Sequence, residues 1–254
     1  MLPERAKPPA CCDNPWMGHL AATLALGPIL FLQGRHVRRV TPLLPEPAGP
    51  RAGITGEGPS LRLLILGDSA AAGVGAETQD QALSGQLVAA LAARRRVDWQ
   101  LVARTGAGTA QTLRHMQRRP RQPFDVVLTS LGVNDVTGNV RQSDWLAAQR
   151  ALIVLLRCEY GASRVLLSAL PPMHLFPALP QPLRWYLGTQ ARRFNQALAD
   201  LAAQTEGCAY LQPELEQRAE LMAPDGFHPG PALYRAWARH VAEVILAAPP
   251  SRQG

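Results

Sequence analysis

Four short segments of this 254-residue chain combine residue types that can do chemistry. Gly67-Asp68-Ser69 follows the apolar run Leu61 to Leu66, and small residues continue through Gly73 and Gly75. A serine at such a strand-to-helix turn is an exposed nucleophile, the small neighbours let a substrate approach, and the N–H groups of the turn point toward an anion. Arg104-Thr105-Gly106-Ala107-Gly108-Thr109 follows a second apolar run, and its glycines permit close approach of backbone to ligand. Gly132-Val133-Asn134-Asp135 follows a third, where the Asn134 amide is a donor of the kind an oxyanion needs. In Pro224-Asp225-Gly226-Phe227-His228-Pro229 an aspartate and a histidine three apart can meet in one turn, giving a base and the carboxylate that orients it.

Each segment has an ordinary explanation: Gly-Asp-Ser is a common turn, Asn134 can end a strand in an Asx-turn, and Asp225 can cap one. Taken together they supply a nucleophile, oxyanion donors and a base pair at the ends of successive elements. Other chemistries fit less well. As a dinucleotide fingerprint, Gly106-x-Gly108 would need its third glycine at Gln111, and no acidic residue closes the next strand. Cys11, Cys12, Cys158 and Cys208 form no Cys-x-x-Cys pair or Cys/His ligand cluster, so they read as isolated buried thiols, and no metal or organic cofactor is expected.

The elements that position these segments begin at Leu61. Short apolar runs at Leu61–Leu66, Val97–Ala103, Phe124–Leu131, Arg164–Ala169 and Cys208–Leu211 read as strands. Helical spacing appears in Gln81–Arg95, Ala110–Arg118, Trp145–Cys158, Leu183–Gln204 and Leu233–Leu246. Such alternation predicts an α/β fold, a three-layer α/β/α sandwich of the flavodoxin-like kind with a five-stranded parallel sheet. Both faces of the sheet are covered, hence the continuous apolar strands. Ligands bind such sheets at the carboxyl ends of the strands, where the four segments lie. The stretch Pro171-Pro172-Met173-His174-Leu175-Phe176-Pro177 leaves the same edge, is apolar and Pro-stiffened, and is expected to wall an acyl pocket.

Residues 1–60 differ from this domain, which is expected to span 61–249 ahead of a short tail at 250–254. The apolar run Leu20–Leu32 is too short for the ~20 residues of a membrane span, and its surroundings do not resemble a secretory signal. It reads as a helix packed on the domain, with an interfacial membrane contact through residues 19–39, aided by Arg35, Arg38 and Arg39, as the alternative. A cytoplasmic location, with or without membrane association, is the matching expectation. Thr41–Ser60 is rich in Pro and Gly and reads as a linker without regular structure. The net charge is +7, but the arginine clusters are not interleaved with aromatic residues, so a nucleic-acid partner is not expected.

The four segments, in this order from residue 67 to residue 229, resemble the blocks of the SGNH or GDSL-type hydrolase family. The resemblance covers the chain from about residue 61 to the last helix. It implies a serine ester hydrolase with Ser69 as nucleophile, His228 as general base and Asp225 as its partner. It also implies an oxyanion hole from Ser69, Gly106 and Asn134. Two letters depart from the family pattern: Ala70 stands where leucine is usual, and Ala103-Arg104 where the second block carries an asparagine. Gly108 is the alternative to Gly106, which is preferred because Leu113 then keeps the family spacing. The expected substrate is a short- to medium-chain acyl ester; a thioesterase or lysophospholipase on the same site, or a catalytically silent binding module, are the alternatives.

Overall fold

A computed structural model describes residues 15–213 and 219–247. Cys11, Cys12 and the tail at 250–254 lie outside the described residues. The strands are β1 (Ala52–Thr55), β2 (Ser60–Gly67), β3 (Arg96–Ala103), β4 (Val126–Ser130), β5 (Arg164–Ser168) and β6 (Cys208–Leu211). The helices are α1 (Pro15–Val40), α2 (Ser69–Ala72), α3 (Leu83–Ala92), α4 (Thr109–Arg118), α5 (Val133–Thr137), α6 (Gln142–Cys158), α7 (Leu183–Ala203) and α8 (Pro231–Ala247). They build one sheet in the order β1-β3-β2-β4-β5-β6.

The expected five parallel strands are present, and a sixth corrects the prediction. β1 pairs antiparallel with β3, Ala52 opposite Gln100 and Thr55 opposite Val97. It lies in the stretch read as a linker. All four of its residues are exposed, so it offers no apolar run to read; the free edge of β3 makes it a strand. The segment before it is docked as well. Glu46 accepts hydrogen bonds from the Thr105 N–H (2.9 Å) and hydroxyl (2.7 Å), and pairs with Arg51 at 2.7 Å. A chain lacking residues 1–59 would lose both features. It should melt below the full-length protein and tend to associate through the bare edge of β3, which a thermal melt with light scattering would show.

Each central strand feeds both faces of the sheet. Leu64 and Leu66 of β2 enter the cluster that contains Leu152, Leu156, Phe194 and Leu198 of α6 and α7. Leu63 and Ile65 enter the cluster with Leu87, Leu91, Tyr234 and Val241 of α3 and α8. That is the alternation a parallel strand buried on both sides requires. Cys158, read as a buried thiol, is exposed at the last residue of α6, and Cys208 is half-buried. The chain runs from β2 out to β3 and then returns to β4 on the other side of β2. The loops after β2 and β4 therefore diverge, opening a crevice at this switch in strand order.

Candidate active site

Ser69 stands at the start of α2, directly after β2. Gly67 is needed there because a Cβ would come within 2.6 Å of the Ser130 carbonyl and of Ala71 Cβ. Asp68 caps α2, accepting from the Ala70 N–H at 3.1 Å, and Gly73 ends the helix with φ of 94°. That left-handed geometry suits glycine.

The His228 loop meets this turn from the far end of the sequence. Asp225 Oδ1 accepts from the N–H groups of Phe227 and His228, both at 3.0 Å, which fixes the turn. Asp225 Oδ2 lies 2.5 Å from His228 Nδ1, and His228 Nε2 lies 2.9 Å from Ser69 Oγ. An ionised carboxylate only accepts, so Nδ1 carries the proton and Nε2 of the neutral ring accepts from the serine hydroxyl. Burial alone would raise the Asp225 carboxyl. The hydrogen bonds from His228 and Phe227, with the charge of His228, outweigh burial and hold Asp225 below the ordinary carboxylate range. The two loops touch at Gly75, where φ is 102° and a Cβ would lie 2.4 Å from the Pro229 carbonyl.

Asn134 lies on α5, directly after the loop that follows β4. Its Nδ2 donates to Asp68 Oδ2 and to the Ala107 carbonyl, both at 3.1 Å. The amide is thus fixed between the Ser69 turn and the loop that carries Gly106 and Gly108. Gly106 is exposed with φ of 78°, and nothing lies within 4 Å of where its Cβ would be. Gly108 has an ordinary φ, and a Cβ there would meet Asp135 Oδ1 at 3.0 Å. The structure thus brings Ser69, Asp225 and His228 into one hydrogen-bonded line. It places Asn134 against the residues on either side of the proposed oxyanion site.

Three supporting residues escaped the sequence reading. Asp135 is buried and accepts from the Thr109 hydroxyl (2.8 Å) and N–H (3.0 Å), tying the glycine loop to α5. Burial raises its carboxyl although Thr109 opposes the shift. Glu46 holds the same loop from outside. Asp68 is the third: burial pushes its carboxyl up to about 7, against the opposing pull of the Ala70 N–H and the charge of His228. An acidic residue beside a candidate nucleophile was visible in sequence; its pairing with Asn134, 66 residues away, was not.

Asp68 predicts an unusual dependence of stability on pH. Its proton is held more tightly in the folded chain, so its contribution is fully present below the ordinary value of 3.8 and is lost as pH rises through about 7. A difference of that size corresponds to on the order of 4 kcal/mol. Asp135 acts in the same direction. Unfolding titrations should show stability falling from pH 5 to pH 8, and Asp68→Asn should flatten that slope. An unchanged slope in the variant would assign the titration to another group.

Beside Ser69 and His228 a cavity of about 400 Å³ opens toward β5 and α7. Pro171, Pro172, His174 and Phe176 form one wall, as the apolar sequence after β5 suggested. Leu170 and Ala191 add to the lining, and Asn195 ties α7 to Leu170 through hydrogen bonds of 2.8 and 2.9 Å. Among the described residues, no group of three or more His, Cys, Asp or Glu side chains is placed to hold a metal ion.

Solved structures resemble this fold. The lipase Lip_vut3 from a goat rumen metagenome superposes with a TM-score of 0.57 at 18% identity, covering 71% of this chain and 95% of its own. A catalytic mutant of Axe2, an acetylxylan esterase from Geobacillus stearothermophilus, gives 0.55 at 16% identity, with 75% and 96% covered. The psychrotrophic esterase EstA from Pseudoalteromonas sp. gives 0.51 at 21% identity, with 73% and 96% covered. Likeness at these identities speaks for the fold. No protein with a curated description matches the sequence. Residues 65–236, from within β2 to within α8, match the GDSL-like Lipase/Acylhydrolase family, and the chain belongs to that family.

Proposed function

We propose that the protein hydrolyses carboxylic esters of apolar acyl groups through an acyl-enzyme on Ser69. The observation that carries this reading is the continuous line from Asp225 through His228 to Ser69 Oγ, opening onto an apolar cavity. In the first half-reaction Ser69 Oγ attacks the ester carbonyl and its proton passes to His228 Nε2. The imidazolium is stabilised by Asp225 and returns the proton to the leaving alkoxide. Water then attacks the acyl-enzyme, with His228 again taking the proton, and Ser69 is regenerated as the acid departs.

The negative oxygen of each tetrahedral intermediate is received by the N–H groups of Ser69 and Gly106 and by Asn134 Nδ2. Both Asn134 hydrogens are engaged at rest, so donation to the oxyanion exchanges or shares the bond to Asp68. Asn134→Ala should lower kcat by about 10²–10³-fold, as loss of one oxyanion donor does. An unchanged kcat would remove Asn134 from that role.

The experiment that tests the reading is hydrolysis of a chain-length series of p-nitrophenyl esters, together with labelling by an alkyl phosphonate ester and peptide mapping. Turnover, with the phosphonyl group on Ser69, is the expected result. A label on another residue, or no turnover at any chain length, would overturn it, the latter in favour of a binding module.

A further inference from the structure

We infer that the outward face of α1, with the adjoining end of α7, is a docking surface for an anionic lipid bilayer. Leu26, Leu30, Gln33 and Val37 recur at helical spacing and turn inward, with Leu30 and Val37 in the main core cluster. The rest of the circumference carries Phe31 and Leu32, each 64% exposed, with Ile29 at the flank of the buried stripe at 43%. Patches of large apolar side chains in contact with water mark interaction sites.

The helix that carries this patch lies against the element that leads to the cavity. Gln33 donates to the Gln181 carbonyl at 2.7 Å and accepts from the Leu183 N–H at 3.0 Å, so α1 lies on the start of α7. Trp185, 40% exposed, is on that first turn of α7. Gly188, one turn on, packs so closely on His174 that a Cβ would lie 2.5 Å from His174 Cβ. His174 lines the cavity, and its neighbour Leu175 is 47% exposed. Five of the ten exposed large apolar side chains among the described residues lie on α1, on the first turn of α7 and beside His174 at the cavity.

Charge selects the partner. One turn beyond the apolar face, Arg35, His36, Arg38 and Arg39 are exposed. The Arg35 guanidinium lies over the Phe31 ring at 5.8 Å, and Arg38 donates to the Thr137 carbonyl. No acidic residue occurs between Asp13 and Glu46. An apolar face bordered by arginines and free of carboxylates complements an interface of acyl chains and anionic headgroups, and repels neither. Among the described residues no helix is long and apolar enough to cross a membrane, so α1 lies along the surface in this arrangement. Docking would present the cavity mouth to the bilayer, making esters that reside there the substrate class; that step rests on the ester hydrolase reading, whereas lipid docking does not.

The test is cosedimentation of the full chain with vesicles of mixed phosphatidylglycerol and phosphatidylcholine, and with phosphatidylcholine alone. Sedimentation velocity without lipid and a thermal melt accompany it. Wild type should bind the anionic vesicles and lose binding with added salt. Phe31→Glu/Leu32→Glu, and separately Arg35→Glu/Arg39→Glu, should each lower the partition more than tenfold, since one cation near an anionic surface contributes about fivefold. Melting and hydrolysis of a water-soluble ester should stay at wild-type values. Binding that is absent, or indifferent to both pairs, would overturn the proposal; so would a dimer in solution that Phe31→Glu/Leu32→Glu dissolves, which would assign the face to a second copy. Vesicle binding without ester turnover would leave the docking surface standing and discard the hydrolase reading.

Discussion

Ser69→Ala should lower kcat on a p-nitrophenyl ester by about 10⁶-fold, the scale on which a serine triad fails without its nucleophile. The structure gives the reason in atoms. His228 Nε2 is within 2.9 Å of Ser69 Oγ, and alanine leaves that nitrogen with no hydroxyl to activate. Asn134 and the turn N–H groups remain, so slow hydrolysis above the rate in water should persist. The melting temperature should change little, because only one hydroxyl at a solvent-open crevice is removed. Turnover that survives at near wild-type rate would mean that Ser69 is not the nucleophile.

Asp225→Asn carries the second-largest expected loss, about 10⁴-fold in kcat. Asp225 Oδ1 accepts two backbone N–H groups, which an asparagine oxygen can continue to do. The amide nitrogen then faces His228 Nδ1, where two donors cannot meet. The imidazole must place its proton on Nε2 instead, and Nε2 can no longer accept from Ser69. The variant should therefore keep its turn and lose its base. Stability should respond in acid. Asp225 is held below the ordinary carboxylate range, so its contribution in the wild type is present above 3.8 and is lost as pH falls through the lower folded value. Parallel kcat and melting profiles against pH would separate the two effects. A kcat within tenfold of wild type would remove Asp225 from orienting the base.

The residues of this candidate site were easier to read than the contacts that hold them, and the difference is physical. Ser69 and Asn134 each follow an apolar run that shows in sequence, His228 comes just before the last helical stretch, and the parallel arrangement brings such segments to one edge. The contacts that hold them have no local signature. Asp68 finds Asn134, Asp135 finds Thr109 and Glu46 finds Thr105 only after the sheet has formed. β1 was hidden for a related reason: Ala52–Thr55 has an exposed pattern and becomes a strand because β3 offers an unpaired edge. α5, five residues long, is too short for periodicity to show. The cavity wall after β5 was readable from its prolines, whereas Ala191 and Asn195 reach the same cavity from a helix whose spacing is shared with the core.

The line from Ser69 to His228 spans 159 residues, and the buried bond from the Tyr234 hydroxyl to the Val74 carbonyl spans 160. The ribosome makes the proposed nucleophile early and the proposed base late. A nascent chain that has emerged as far as β5 holds Ser69 and Asn134 but not yet His228. By the proposed mechanism hydrolysis would begin only when the last loop closes on the first, and the emergence of activity during synthesis would time the final docking of α8 against the body of the protein.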